Sequence, residues 1–183
     1  MLEQTTPVPI LQREGEFDVL LSAYRTRKPK RVLEVGTYHG GTLYHWLQNA
    51  QPGTTVVSLD SYRTDVDNRD MYGGWTPKGV ELVVLEGDSR APSVIDRARE
   101  FWPYDWVFID AGHFYEEVRA DWLNYGLLCG KGGLVCFHDI LYSRGETWAH
   151  VARLWAEIKA EYETLELIAD PTTEWHGIGC VFP

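Results

Sequence analysis

The sequence predicts an α/β fold: one open, mostly parallel sheet of seven strands, with an antiparallel last strand and helices on both faces. Three observations carry that expectation. Short apolar runs, each about as long as a buried strand, recur along the 183 residues. Most are followed by a stretch with helical spacing, the alternation expected of a parallel sheet. Five successive runs end in glycine or a polar residue, namely Gly36, Asp60, Gly87-Asp88, Asp110 and His138-Asp139. In open α/β sheets the carboxyl ends of the strands face the ligand crevice, so these groups are expected to converge.

The elements follow in order. Phe17, Leu20, Leu21 and Tyr24 place a helix over about 14–27, which Pro29 ends. Val32, Leu33 and Val35 make the first strand, 32–35. It runs into a turn carrying Gly36, Gly40 and Gly41, and then into a helix over 42–50 whose free N–H groups point back at the turn. The second strand, 55–59, closes at Asp60 and completes a right-handed β-α-β unit. Over 61–79 the pattern stops. That stretch is polar, contains Gly73, Gly74 and Pro77, and is expected to be a lid loop. Its Asp65, Asp67 and Asp70 lack the glycine and glutamate that a calcium-binding loop requires.

A third strand at 82–85 ends in Glu86-Gly87-Asp88-Ser89 and precedes a helix over about 91–101, broken by Pro103. Strand 106–109 ends at Asp110, and a helix over about 115–125 carries Tyr115, Val118 and Trp122 on one face. Gly130 to Gly133 turn the chain into strand 134–137, which ends at His138-Asp139. The clearest helical period is Val151, Leu154, Trp155, Ile158 and Tyr162, over about 147–162. Strands 165–168 and 178–182 complete the sheet as an antiparallel hairpin at its edge. The whole reads as one domain, with residues 1–30 as an N-terminal helical segment.

Composition excludes several classes of function. With 44% hydrophobic and 24% charged residues the chain is of ordinary globular make-up, and no apolar run approaches the ~20 residues of a membrane span. A net charge of −10 suits neither nucleic acid nor an anionic membrane surface. The one basic cluster, Arg25, Arg27, Lys28, Lys30 and Arg31, reads as a solvated helix end. Nothing at 1–9 resembles a signal peptide, and the odd count of widely spaced cysteines (Cys129, Cys136, Cys180) fits reduced thiols, so a cytoplasmic protein is expected. Tyr62, Tyr72, Trp75, Tyr142 and Trp175 stand in polar contexts where a ligand pocket or the interface of a homo-oligomer would use them.

The first turn discriminates among cofactors. A G-x-G-x-x-G dinucleotide motif fails, because Tyr38 and Glu34 occupy glycine positions in the two possible registers. A P-loop fails because Thr42 stands where its lysine belongs. What remains is Glu34, two residues before Gly36, a carboxylate that would repel pyrophosphate and suit a ligand bearing positive charge.

Glu34-Val-Gly36-Thr-Tyr38-His-Gly40 resembles the E-x-G-x-x-x-G motif of class I S-adenosylmethionine-dependent methyltransferases, whose Rossmann-like seven-stranded fold agrees with the strand count. The resemblance implies that Asp60 binds the ribose hydroxyls, with Ser61 beside it, and that Gly87-Asp88-Ser89 contacts the adenine. The segments around Asp110-Ala-Gly-His113 and Gly132-Gly-Leu-Val-Cys-Phe-His138-Asp139 are similar to the metal-dependent catechol-type O-methyltransferases, and closer still to the macrocin O-methyltransferase and cephalosporin hydroxylase-like group. By that resemblance Asp110, His138 and Asp139 stand where a divalent metal (Mg²⁺, Mn²⁺ or similar) is held, and His113 stands in place of a catalytic lysine. A small-molecule acceptor is implied. His138 replaces an aspartate and Asp139 an asparagine, which suits Mn²⁺, Fe²⁺ or Zn²⁺ better than Mg²⁺.

The roles leave alternatives open. Asp110 and Asp139 can also serve as helix or loop caps, and His138 as a buried hydrogen-bonded histidine. His113 can act as a base without metal, and the chain can bind the cofactor without turning it over. The hydroxylase-like relatives also leave an oxidative role open. His39 is read as shaping the turn; His45, His150 and His176 are read as structural, with His176 at the edge of an acceptor pocket.

Overall fold

A computed structural model describes residues 6–62, 67–141, 151–173 and 175–183 of the chain. In order, the elements are α1 (Glu14–Arg27), β1 (Arg31–Val35), α2 (Gly41–Asn49), β2 (Thr55–Asp60), α3 (Arg69–Trp75), β3 (Glu81–Glu86) and α4 (Pro92–Arg99). There follow β4 (Tyr104–Ile109), α5 (Tyr115–Asn124), β5 (Cys129–Phe137), α6 (Val151–Glu161), β6 (Glu163–Leu167) and β7 (Ile178–Phe182). The strands form one sheet in the order β3-β2-β1-β4-β5-β7-β6. Every pairing is parallel except those of β7, which runs antiparallel to both β5 and β6. This is the expected fold class.

Strand alternation sends side chains to two cores. Leu33, Val35, Val57, Leu59, Val107 and Ile109 face α4, α5 and α6; Val32, Val56, Trp106 and Phe108 face α1, α2 and α3. The chain leaves β1 in one direction to β2 and β3, and returns to the other side of β1 for β4 and β5. The β1/β4 boundary is therefore the topological switch point, where a crevice opens at the strand ends.

Two local expectations are corrected. Within 61–79, residues 69–75 form α3, which buries Tyr72 and Trp75 behind the first turn, where Tyr72 is 1% exposed. Its aromatic spacing is too short to register as a period. These two side chains and Tyr62 are core; Trp175 remains partly exposed, and Tyr142 lies outside the described residues. Strand β5 begins at Cys129 rather than 134, but its register with β4 shifts between Tyr104 and Trp106, so the glycine stretch interrupts the pairing instead of preceding it. The three thiols are free and buried. Among the described residues no helix is long and apolar enough to cross a membrane.

Candidate active site

The turn after β1 is fixed by backbone. Gly36 N–H donates to Leu59 O at 2.8 Å and Asp110 N–H to Val35 O at 2.8 Å, so the ends of β2, β1 and β4 are tied side by side. Gly36 adopts φ +92°, and a Cβ there would run into the backbone carbonyl of Asp110. The close approach that demands glycine is thus to the neighbouring strand end.

Asp60 is held from two directions. Tyr38 and Tyr62 both take left-handed backbone, φ +50° and +51°. Each aims its N–H at Asp60, Tyr38 to Oδ2 at 2.7 Å and Tyr62 to Oδ1 at 2.7 Å. Oδ2 keeps a further lone pair to accept a ligand hydroxyl, and the second acceptor position of Oδ1 is taken only by a long bond from Ser61 Oγ at 3.4 Å, which a ligand hydroxyl can replace.

Glu34 does not face the ligand crevice. It is fully buried on the face toward α2, where Oε1 accepts bonds from Thr42 Oγ1 at 2.5 Å and Trp46 Nε1 at 2.9 Å. Burial pushes its carboxyl up to about 7, against the lowering effect of those hydrogen bonds. Glu34 points from β1 to the same side as Val32, and a carboxylate there staples α2 to the strand. Gly40, at φ +89°, likewise stays off the crevice, with Trp75 and Tyr72 2.9 Å from where its Cβ would lie.

The crevice is a cavity of about 610 Å³. Of the residues singled out from the sequence, Gly36, Tyr38, Asp60 and Ser61 line its β1/β2 end and Gly87, Asp88 and Ser89 the end of β3. Asp110, His113, His138 and Asp139 line the β4/β5 end. Trp175 and His176, before β7, form one wall, as the sequence suggests for both; the other wall, Pro9 to Gln12 before α1, carries no signal in the sequence. Gln12 Nε2 donates to Asp110 Oδ2 at 2.6 Å. The 176–177 segment is anchored from α1 by Glu16, a 2%-exposed carboxylate whose Oε1 accepts Ala169 N–H at 2.9 Å and whose Oε2 accepts Gly177 N–H at 3.0 Å. A glutamate on the apolar face of α1, beside Phe17 and Leu20, was the signal available in the sequence.

At the β4/β5 end acids and imidazoles interlock. His138 Nδ1 lies 3.3 Å from Asp110 Oδ1 and 3.4 Å from Asp139 Oδ1. Burial lowers the His138 pKa, but the two carboxylates outweigh it and hold the imidazole up at about 9. Asp139 Oδ2 lies 2.8 Å from His113 Nε2, a bond that raises the His113 pKa against partial desolvation. Burial works to raise the Asp139 carboxyl, and its histidine partners turn the net shift downward. Among the described residues, two trios offer ligand atoms all within 4.8 Å of one another: His138, Asp139 and His176, and Asp110, His113 and Asp139.

The sequence pattern of the methyltransferase domain matches residues 33–140, more than half of the chain and the whole span from β1 to His138-Asp139. The chain belongs to the methyltransferase-domain family. A curated relative, the Sinorhizobium fredii protein y4gI, is 23% identical over 93% of this chain, and the chain spans about a fifth (19%) of that relative's length. Among solved structures, an O-methyltransferase from Bacillus cereus in complex with SAH superimposes with a TM-score of 0.71 at 17% identity, covering 96% of this chain and 83% of that one. MycE, a methyltransferase of the mycinamycin biosynthetic pathway in complex with Mg and SAH, gives 0.58 at 19% identity over 90% of this chain and 47% of that one. These likenesses extend the fold across the elements outside the matched span, including the β6–β7 hairpin.

Proposed function

We propose that the chain is an S-adenosylmethionine-dependent O-methyltransferase acting on a hydroxyl of a small molecule. The observation that carries this reading is Asp60, a carboxylate clamped at the end of β2 beside the Gly36 turn, facing a cavity at the switch point of the sheet. Its fixed oxygens suit a ribose diol. The lysine of a phosphate-binding loop does not accompany it, Thr42 standing in its place, and Tyr38 stands where a dinucleotide motif needs its second glycine. The cavity is about the size of a nucleoside-bearing cofactor with room for a small acceptor. Membership of the methyltransferase-domain family supports the reading, as do the cofactor-bound structures of like fold. A cytoplasmic setting fits the free thiols.

When bound, the cofactor supplies an electrophilic sulfonium methyl group. This chain's residues have the remaining tasks of orienting the acceptor oxygen and removing its proton. His113 stands at the mouth of the cavity with Asp139 on Nε2, a carboxylate–imidazole pair in which Asp139 sets the tautomer and stabilises the imidazolium formed when the ring takes the acceptor's proton. Gln12 fixes Asp110, which offers an oxygen within 4.8 Å of ligand atoms of His113 and Asp139.

The resemblance also implies a divalent metal on Asp110, His138 and Asp139. His138 Nδ1 lies within 3.4 Å of an oxygen of both carboxylates, and the set of two carboxylates and an imidazole suits such a cation. When bound, the ion lowers the pKa of a hydroxyl beside it.

The test is transfer of labelled methyl from S-adenosylmethionine to a panel of small phenols and alcohols. His113→Ala is expected to lower kcat by about 10²–10⁴-fold with cofactor affinity unchanged. An unaltered kcat would remove His113 from the mechanism. Absence of transfer to any hydroxyl acceptor, with the cofactor bound, would favour the non-catalytic reading.

A further inference from the structure

We propose that Cys136 and Cys180 form a modification site, a dithiol that a hydroperoxide converts to a cross-strand disulfide, tying β5 to β7 next to the candidate active site. The site stands on the geometry of these two strands and not on the methyl-transfer reading, so its test uses neither cofactor nor acceptor.

The pair is set by register. In the antiparallel β5/β7 pairing Cys136 lies directly opposite Cys180, between the pairs Val135–Val181 and Phe137–Gly179. Directly opposite residues put their side chains on the same face of a sheet, here the face on which α1 and α2 pack. The two Sγ atoms are 3.7 Å apart, one thiol donating to the other. Opposed Cα atoms of antiparallel strands lie about 4.5–5.5 Å apart, inside the roughly 4.4–6.8 Å that disulfides span. Bond formation therefore asks for rotation about the two Cα–Cβ bonds and no change of register.

The third thiol does not compete. Cys129, at the start of β5, packs in the other core with Val107, Trp122 and Val135, so the sheet itself separates it from the pair.

A route to solvent runs over the edge of the sheet. Cys136 is 0% exposed and Cys180 4%. Opposite Cys180 on the far side of β7 stands Leu165 of the edge strand β6, which is 52% exposed. The three side chains form a row from solvent to core, with Cys180 as the outer thiol. No residue of β6 is fully buried, and elements with so little burial open at less than the global cost of unfolding. Hydrogen peroxide is small enough to enter such an opening.

The chemistry balances on the two thiols and the oxidant. The Cys180 sulfur, giving up its proton, attacks one peroxide oxygen; the O–O bond breaks, water leaves and Cys180 becomes a sulfenic acid. The Cys136 sulfur then displaces that hydroxyl as a second water, its own proton leaving with it, and the S–S bond forms. The two thiols lose two electrons and two protons, and the peroxide is reduced to two waters. A small dithiol reverses the step by exchange.

The link acts on the segments that wall the site. Past the strand ends the same two stretches are joined by Ile140 N–H to Gly177 O at 3.3 Å and Leu141 N–H to His176 O at 3.1 Å. Asp139 and His176 line the cavity there, and a covalent bond between β5 and β7 fixes the pairing on which that wall rests.

The experiment exposes the folded full chain to hydrogen peroxide, removes the excess and alkylates the remaining thiols under denaturing conditions. Intact mass and non-reducing peptide mapping are then read. The wild type is expected to lose two hydrogens, to keep one thiol for alkylation and to yield a linked pair of peptides carrying Cys136 and Cys180. Cys129→Ala is expected to form the same link and keep no thiol. The melting temperature of the linked protein is expected to rise by roughly 4–16 °C, as for a disulfide of ordinary worth in a chain of this size, and to return with dithiothreitol. Cys136→Ala and Cys180→Ala are expected to show neither link nor shift. The mass readout is made on the wild type, so loss of fold in an alanine variant leaves the test intact. Three alkylated thiols in the peroxide-treated wild type, a link through Cys129, or sulfinic acid on Cys180 in place of the link would overturn the proposal. So would a linked protein that melts no higher than the reduced one.

Discussion

Glu34→Gln should make the protein more stable at neutral pH and remove a pH dependence that the wild type carries. In the folded chain the Glu34 carboxyl is raised from its ordinary 4.5 to about 7. The folded state therefore holds a proton that the unfolded chain gives up between those values. Stability linked to Glu34 is fully present below pH 4.5, falls as pH rises through that window, and is lost above about 7. At about 1.4 kcal/mol per pH unit, the interval from 4.5 to about 7 corresponds to about 3 kcal/mol. Glutamine keeps the oxygen that Thr42 and Trp46 bond and cannot ionise. Urea denaturation of both proteins at pH 4.5, 6, 7 and 8 should show the stability difference, variant minus wild type, growing by about 3 kcal/mol. That is a gain of roughly 6–12 °C in Tm for a chain of this size. Taking the difference cancels every other titrating group. A gap that stays constant across this range would mean that Glu34 titrates in the folded state as it does in the unfolded chain, and would refute the assignment of a sealed carboxylate between β1 and α2.

Three other outcomes follow from the same structure. Glu16→Ala strands the N–H groups of Ala169 and Gly177, at about 1–3 kcal/mol each, and should lower stability by about 2–5 kcal/mol in urea denaturation. Glu16→Gln, which keeps one acceptor, should lose less, and equal losses would argue against the two-bond role. Gly36→Ala forces a Cβ into the Asp110 carbonyl at a positive φ and should destabilise the chain by more than about 2 kcal/mol; a wild-type melting curve would contradict that packing. His113→Ala, described above, separates the chemical step from cofactor binding.

The parallel part of the sheet was legible because each of β1 to β5 contains a short apolar run closed by a polar or glycine residue, a pattern that survives without tertiary information, whereas β6, Glu163–Leu167, mixes charged and apolar residues at the sheet edge. Bounds of α1 and β7 coincide with the expectation, whereas α3 escaped because its seven residues hold only Tyr72 and Trp75 as buried anchors. The site was legible to the extent that it lies at strand ends: Asp60, Asp110, His138 and Asp139 line the cavity together. The direction Glu34 faces is not legible in the sequence, for a physical reason. A strand buried on both faces shows no alternation of polar and apolar residues, so nothing local says which face its one carboxylate takes; Thr42 and Trp46, four residues apart on α2, were the clue. Gln12 and Glu16 are placed by bonds to Asp110 and Gly177, 98 and 161 positions away in the chain, and His176 by a bond to Asp139, 37 positions away. Composition and periodicity carry no trace of such pairings.

The most direct test of the account is calorimetric titration of S-adenosylmethionine into the wild type and Asp60→Ala. Two ribose hydroxyls bonded to a charged acceptor are worth about 1.5–3 kcal/mol each. With 1.4 kcal/mol per tenfold change, the variant should bind roughly 10²–10⁴-fold more weakly while keeping its fold. Equal affinities in the two proteins, or no binding by the wild type, would contradict the assignment of this cavity to the cofactor.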